Sequence, residues 1–174
     1  MTAMMKCFVM HGIGKVGVMD KPVPRPGPSD AIIRTTAALI CTSDTHTVAG
    51  AIGDRQDLTL GHESVGVIHE LGELAASGLF KVGQRVAVSA ITPCYACDSC
   101  QRGYPSQCGG MLGGWKFANL KDGSFAEYFH VNNGRRRKST TSSERNTGIM
   151  ALGEPWEFIA TTPLECVVLA SQPR

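Results

Sequence analysis

The stretch Pro93–Cys108, PCYACDSCQRGYPSQC, gathers four of the chain's seven cysteines in the spacing C-x2-C-x2-C-x7-C. A tetrahedral zinc site needs four sulfurs at about 2.3 Å from one ion, and short C-x2-C loops curl the chain tightly enough to supply them. Cys94, Cys97 and Cys100 share one such loop, and Cys108 returns from a turn containing Gly103 and Pro105. Four protein ligands fill the coordination shell and leave no open position for a reactant. The spacing therefore reads as a structural zinc lobe. Two disulfides or four unrelated thiols are the alternatives, and a reducing compartment argues against the first. A closed site of this kind holds a fold together, so the chemistry has to be sought elsewhere.

The rest of the chain supplies the compartment. Its 174 residues suit one domain with a short appendage, and 43% hydrophobic against 18% charged residues is the composition of a globular protein. The formal net charge of +2 is too small to argue for a nucleic acid or an anionic membrane as partner. No run reaches the apolar length of a membrane span. Lys6 and His11 interrupt the N-terminal apolar residues, so no signal peptide is expected there. A cytoplasmic protein is the expectation.

Around the cysteines the chain reads mostly as strands and turns. MMKCFVMHG and KVGVMDKPVP form two short strands joined by a turn at Gly12–Gly14. DAIIRTTAALI alternates poorly but is rich in β-branched and apolar residues, as a well-buried strand is. ESVGVIHELG, GQRVAVSAI and GSFAEYFHV are further strands. Only SDTHTVAG reads as a short helix, with Ser43 or Asp44 as its N-cap. Many short strands with Gly and Pro turns predict a mainly β fold, a small and partly open barrel.

The pattern changes near residue 133. Residues 1–133 hold eleven basic and eleven acidic residues, whereas residues 134–174 hold six and four and begin GRRRKSTTSSERN. That opening is basic, rich in hydroxyls and without an apolar period, which reads as linker or disorder. Residues 1–133 are therefore taken as the domain and 134–174 as a partly disordered tail.

A second constellation lies in ICTSDTHT and LGHESVG, which offer Cys41, Ser43, Asp44, His46, His62 and Glu63. A thiolate and an imidazole from separate segments make part of a catalytic zinc site, which takes three protein ligands and keeps one position open. Ser43 is placed to hydrogen-bond a reacting hydroxyl, and His46, one helical turn on, to pass a proton to solvent. On spacing alone this is a weak signal, because a buried cysteine is more often a small hydrophobe.

Taken in order, CTSDTH at Cys41–His46, GHESVG at Gly61–Gly66, VGQRVAV at Val82–Val88 and the four-cysteine lobe resemble the zinc-dependent medium-chain alcohol dehydrogenases. GDR at Gly53–Arg55 and GMLGGWKFANLKDGSFAEYFHVN at Gly110–Asn132 are similar to the branch that acts on short secondary alcohols and ketones with NADP. The resemblance covers roughly residues 4–132 and implies a GroES-like, partly open β-barrel. It implies that Cys41 and His62 are ligands of a catalytic zinc, with Glu63 the adjacent acid that ligates or tunes it. It implies that Ser43 and His46 are the proton relay, that Ala90 and Trp115 are walls of the substrate pocket, and that Cys94, Cys97, Cys100 and Cys108 hold the structural zinc. Some members of the branch lack those four cysteines. The implied chemistry is Lewis-acid activation of an alcohol with hydride passing to the nicotinamide.

After Asn132 the chain departs from the family, which continues there into a segment with a third catalytic ligand and then a Rossmann domain. The sequence GIGKVG at Gly12–Gly17 has the spacing of a dinucleotide fingerprint but sits between short N-terminal strands. No Asp follows Asp122, and nothing around Glu154, Glu157, Glu165 or Cys166 singles out a replacement ligand. The cofactor-binding residues stay unassigned. The expectation is a truncated form that does not turn over 2-propanol alone, able to form homo-oligomers. The competing reading is a non-catalytic, zinc-stabilised binding or structural module.

Overall fold

The strand signals resolve into two antiparallel sheets in this computed structural model, which describes residues 2–76, 80–88, 90, 93–94, 97–104, 107–109, 118–132, 149–151 and 168–170. In the smaller sheet β1 (Met4–Gly12) and β2 (Lys15–Pro22) form a hairpin, with β4 (Leu58–Thr59) on the other edge of β1 once β3 (Ala31–Leu39) has intervened in the chain. Gly12 pairs with Lys15 across the turn. GIGKVG therefore closes a hairpin instead of opening a helix, and it fails the structural test of a nucleotide cradle. On β1 the buried Met5, Cys7 and Val9 alternate with Lys6 and Phe8, the period-two pattern of a half-buried strand.

The larger sheet contains β3, β5 (Glu63–Leu71), β6 (Arg85–Val88), β7 (Tyr128–Val131), β8 (Ile149–Ala151) and β9 (Val168–Ala170). Its order is β7-β3-β5-β6-β8, and β9 pairs with the C-terminal part of β3. Ala31, Ile32 and Ile33 are all fully buried, so β3 is covered on both faces and its residues need not alternate. Ile33 packs with Ile68, Phe80, Val86, Val88, Phe129 and Val131 in the main core cluster. Each large apolar side chain buried there contributes about 1.5–3 kcal/mol. Among the described residues the helices are α1 (Thr42–Val48), α2 (Glu73–Ala76) and α3 (Asp98–Gln101), the last two beyond the one helix expected, and the fold is mainly β, as expected. Every strand pairing among the described residues is antiparallel, unlike the parallel sheet of a Rossmann domain.

Two local expectations shift. The helix over SDTHTVAG begins two to three residues earlier, with Cys41 rather than Ser43 or Asp44 at the N-cap and Asp44 inside the first turn. The strand over GSFAEYFHV is confined to Tyr128–Val131. Residues Gly123, Ser124 and Phe125 instead donate their backbone N–H groups to Thr59, Gly61 and Leu60. Both strands from the 134–174 segment add to sheet edges, β8 on β6 and β9 on β3. Trp115 and residues 134–148 lie outside the described residues.

Candidate functional site

The register of β3 against β5 builds the first site. Leu39 pairs with Glu63, so the chain leaving β3 toward Cys41 and the chain entering β5 through His62 meet at one end of the sheet. Ser64 pairs with Val88, and half-buried Ala90 lies two residues beyond, at the same end. The candidate ligand atoms of Cys41, His62 and Glu63 lie within 4.8 Å of one another. Residues 22 positions apart in sequence are thus brought into a single donor set by strand pairing.

Helix α1 begins at the site. Its buried face carries Asp44 and Thr47, while Ser43 and His46, three residues apart, are neighbours on the exposed face. Ser43 Oγ is 3.1 Å from His62 Nε2. Asp44, 5% exposed, is the hub beneath. Its carboxylate accepts the Cys41 N–H at 2.9 Å and the Gly61 N–H at 3.3 Å, and it faces His62 Nδ1 at 3.4 Å. With Nδ1 turned to a carboxylate, Nε2 is the nitrogen left to bind. The hydrogen bond to Asp44 raises the His62 pKa to about 9 in the metal-free chain, against the opposing effect of burial. Hydrogen bonds from Ser43, and a lesser one from His62, hold the Cys41 thiol below its ordinary value. The sequence places Asp44 in the same constellation and as a candidate helix cap, but assigns it no role at the site. Its position three residues from Cys41 was the available signal, and its link to Gly61 and His62 needed the sheet register.

The second cluster has a different character. Cys94, Cys97, Cys100 and Cys108 bring their sulfurs within 4.8 Å of one another, and they are thiols rather than disulfides. Cys97 Sγ and Cys108 Sγ are 3.9 Å apart. The edge of a tetrahedron with zinc–sulfur bonds of about 2.3 Å is about 3.8 Å, so this donor set fits zinc. Backbone N–H groups already point at the sulfurs, Cys94 N–H at Cys108 Sγ (3.2 Å) and Cys97 N–H at Cys94 Sγ (3.3 Å). Backbone hydrogen bonds from Cys100 and Gly109 lower the Cys97 pKa to about 6. A sulfur, an imidazole nitrogen and a carboxylate at the first cluster likewise suit zinc, there with three protein donors instead of four.

Residues 27–138 match the alcohol dehydrogenase GroES-like domain. Over 129 residues the chain is 57% identical to a protein of Entamoeba histolytica described as an NADP-dependent isopropanol dehydrogenase, covering 74% of this chain and 35% of that one. It is 55% identical over the same length to a protein of Thermoanaerobacter brockii with the same description, again covering 74% of this chain and 36% of the relative. The chain thus spans about a third of the length of these relatives. Among solved structures, the apo form of zinc-dependent alcohol dehydrogenase 2 from Streptococcus pneumoniae superposes with a TM-score of 0.71 at 28% identity, covering 86% of this chain and 39% of that one. No helix among the described residues is long and apolar enough to cross a membrane.

Proposed function

The chain belongs to the alcohol dehydrogenase family that carries the GroES-like domain, and from that membership we propose that it forms the zinc- and substrate-binding lobe of an NADP-dependent dehydrogenase of secondary alcohols and ketones. The observation that carries this reading is the convergence of Cys41, His62 and Glu63 within 4.8 Å, with Ser43 Oγ standing 3.1 Å from His62 Nε2 at its edge. In this reading Cys41, His62 and Glu63 hold a zinc ion. When bound, the ion supplies Lewis acidity toward an alcohol or carbonyl oxygen.

The chain's own residues do the rest. Asp44 holds the Nδ1 side of the His62 ring and so leaves Nε2 for the ion. The Ser43 hydroxyl accepts the proton of the substrate hydroxyl as it gives up its own toward the exposed His46, one turn along α1, which exchanges it with solvent. Ala90 forms part of the substrate wall, and Trp115 is assigned to that wall by resemblance alone. Cys94, Cys97, Cys100 and Cys108 hold a structural zinc that stabilises the lobe. NADP is the partner cofactor by analogy with the relatives' descriptions; no residue of this chain is assigned to it. The domain is placed at residues 1–133, with 134–174 as an appended tail whose strands β8 and β9 add to its sheet. A reducing cytoplasm suits its thiol donors.

Cobalt substitution tests the reading, because cobalt(II) occupies such sites and absorbs visibly according to its ligands. Titrating the cobalt-loaded chain with 2-propanol or acetone is expected to shift the bands of the three-donor site and leave the four-sulfur bands unchanged. The shift disappears in His62→Ala. A spectrum indifferent to both compounds contradicts a substrate-facing metal.

A further inference from the structure

We infer that Phe125 is a positioning residue for the three-donor site, a ring wedged under Gly61 that fixes where His62 stands relative to Cys41. The inference rests on the zinc reading above. Phe125 is 6% exposed and shares a core cluster with Met10, Ala38 and Leu60, against which Phe8, Ile40 and Val48 pack. Ile40 directly precedes Cys41, and Val48 ends α1. The cluster therefore underlies both segments that supply donors.

The contact with Gly61 is the closest part of this arrangement. Gly61 has φ +88°, and a Cβ placed there would stand 2.2 Å from Phe125 Cδ1 and 2.6 Å from Cγ. The ring occupies the volume that any side chain at position 61 would need. Across the gap the fit is reciprocal, since a Cβ on Gly123 would stand 2.1 Å from the Gly61 carbonyl oxygen. The Phe125 backbone is anchored on two sides: its N–H donates to Leu60 O at 2.9 Å, and its carbonyl accepts the Phe8 N–H at 2.7 Å. Ser124 N–H donates to Gly61 O at 2.9 Å. A fixed ring thus presses on a residue with no side chain of its own. That residue's N–H reaches Asp44, and its C-terminal neighbour is His62. A shift of Gly61 moves both the ring nitrogen that binds and the carboxylate that orients it.

The test is cobalt titration of the full 174-residue chain carrying Phe125→Leu, beside Phe129→Leu as a matched control. Phe129 is as buried, at 2%, but belongs to the other cluster, which contains none of Ala38, Leu60 or their neighbours Ile40 and Val48. Far-ultraviolet circular dichroism reports in each sample that the fold is intact, and the four-sulfur bands serve as the internal reference for cobalt loading. Phe125→Leu is expected to weaken cobalt binding at the three-donor site by about ten- to a hundredfold, the usual effect of disturbing the support of a ligand, and to alter its bands. Phe129→Leu should leave that affinity unchanged. Gly61→Ala approaches the contact from the other side and should cause the same loss, smaller when combined with Phe125→Leu because the ring it strikes is gone. Unchanged three-donor affinity in Phe125→Leu overturns the inference, as does an equal loss in Phe129→Leu. A wild-type chain that never shows three-donor bands removes the zinc reading itself.

Discussion

Replacing Asp44 by Ala removes a buried carboxylate that serves three partners at once. Two of these are backbone donors, Cys41 N–H at 2.9 Å and Gly61 N–H at 3.3 Å, and the third is the His62 ring at 3.4 Å. Methyl in place of carboxylate leaves both N–H groups without an acceptor in a region where Asp44 itself is 5% exposed. An orphaned buried donor costs about 1–3 kcal/mol, and with the Cys41 N–H only half-buried the two together cost about 2–4 kcal/mol. Against a typical domain stability of about 5–15 kcal/mol that is a large fraction. Asp44→Asn keeps one acceptor oxygen and is expected to lose about half as much. Urea unfolding followed by circular dichroism measures this. Chelated buffer for every variant separates the hydrogen-bond loss from any change in metal affinity. Thr45→Ala, an exposed neighbour on the same helix whose hydroxyl donates to Thr42 O, serves as the reference for a change within about 0.5 kcal/mol. If Asp44→Ala falls within that same margin, the carboxylate is not the hub described.

Other outcomes follow from the same structure. Cys94→Ser or Cys108→Ser should cost the chain one zinc ion and make the segment 93–109 an early site of proteolysis, and unchanged metal content and resistance would refute the four-sulfur lobe. Lys121, whose ammonium donates to Asn132 Oδ1 at 2.6 Å, has its pKa lowered to about 8 by burial, with Asp30 and Asp122 partly opposing. Its folded value lies below the ordinary 10.5, so between these two pH values the unfolded chain binds more protons and stability rises with pH. The gap corresponds to about 3 kcal/mol. The stability difference between wild type and Lys121→Met should therefore shift by about that amount from pH 8 to 10.5, and a flat difference would show the ammonium to be well solvated.

The parts of this protein legible in its sequence are those whose signal is local. Cys94, Cys97, Cys100 and Cys108 identify themselves because a tetrahedral site imposes short spacings. The hairpin at Gly12–Lys15 and the buried run Ala31–Ile33 follow from turn residues and composition. Cys41 and His62 are different: nothing within either segment says that they meet, and only the family resemblance joined them before the Leu39–Glu63 pairing did. Asp44 and Phe125 escaped for the same reason. Each acts through residues far along the chain, Asp44 on Gly61 and Phe125 on Gly61 and Phe8. The alternation in GSFAEYFHV also concealed that its first residues bond to 59–61 instead of joining a regular strand.

The central claim is that this one chain carries two zinc sites of different kinds, and metal analysis of the purified protein tests it most directly. Two zinc ions per chain are expected, falling to one in Cys41→Ala or His62→Ala and, separately, to one in Cys94→Ser. One zinc ion per wild-type chain, unaffected by Cys41→Ala and His62→Ala, would contradict it.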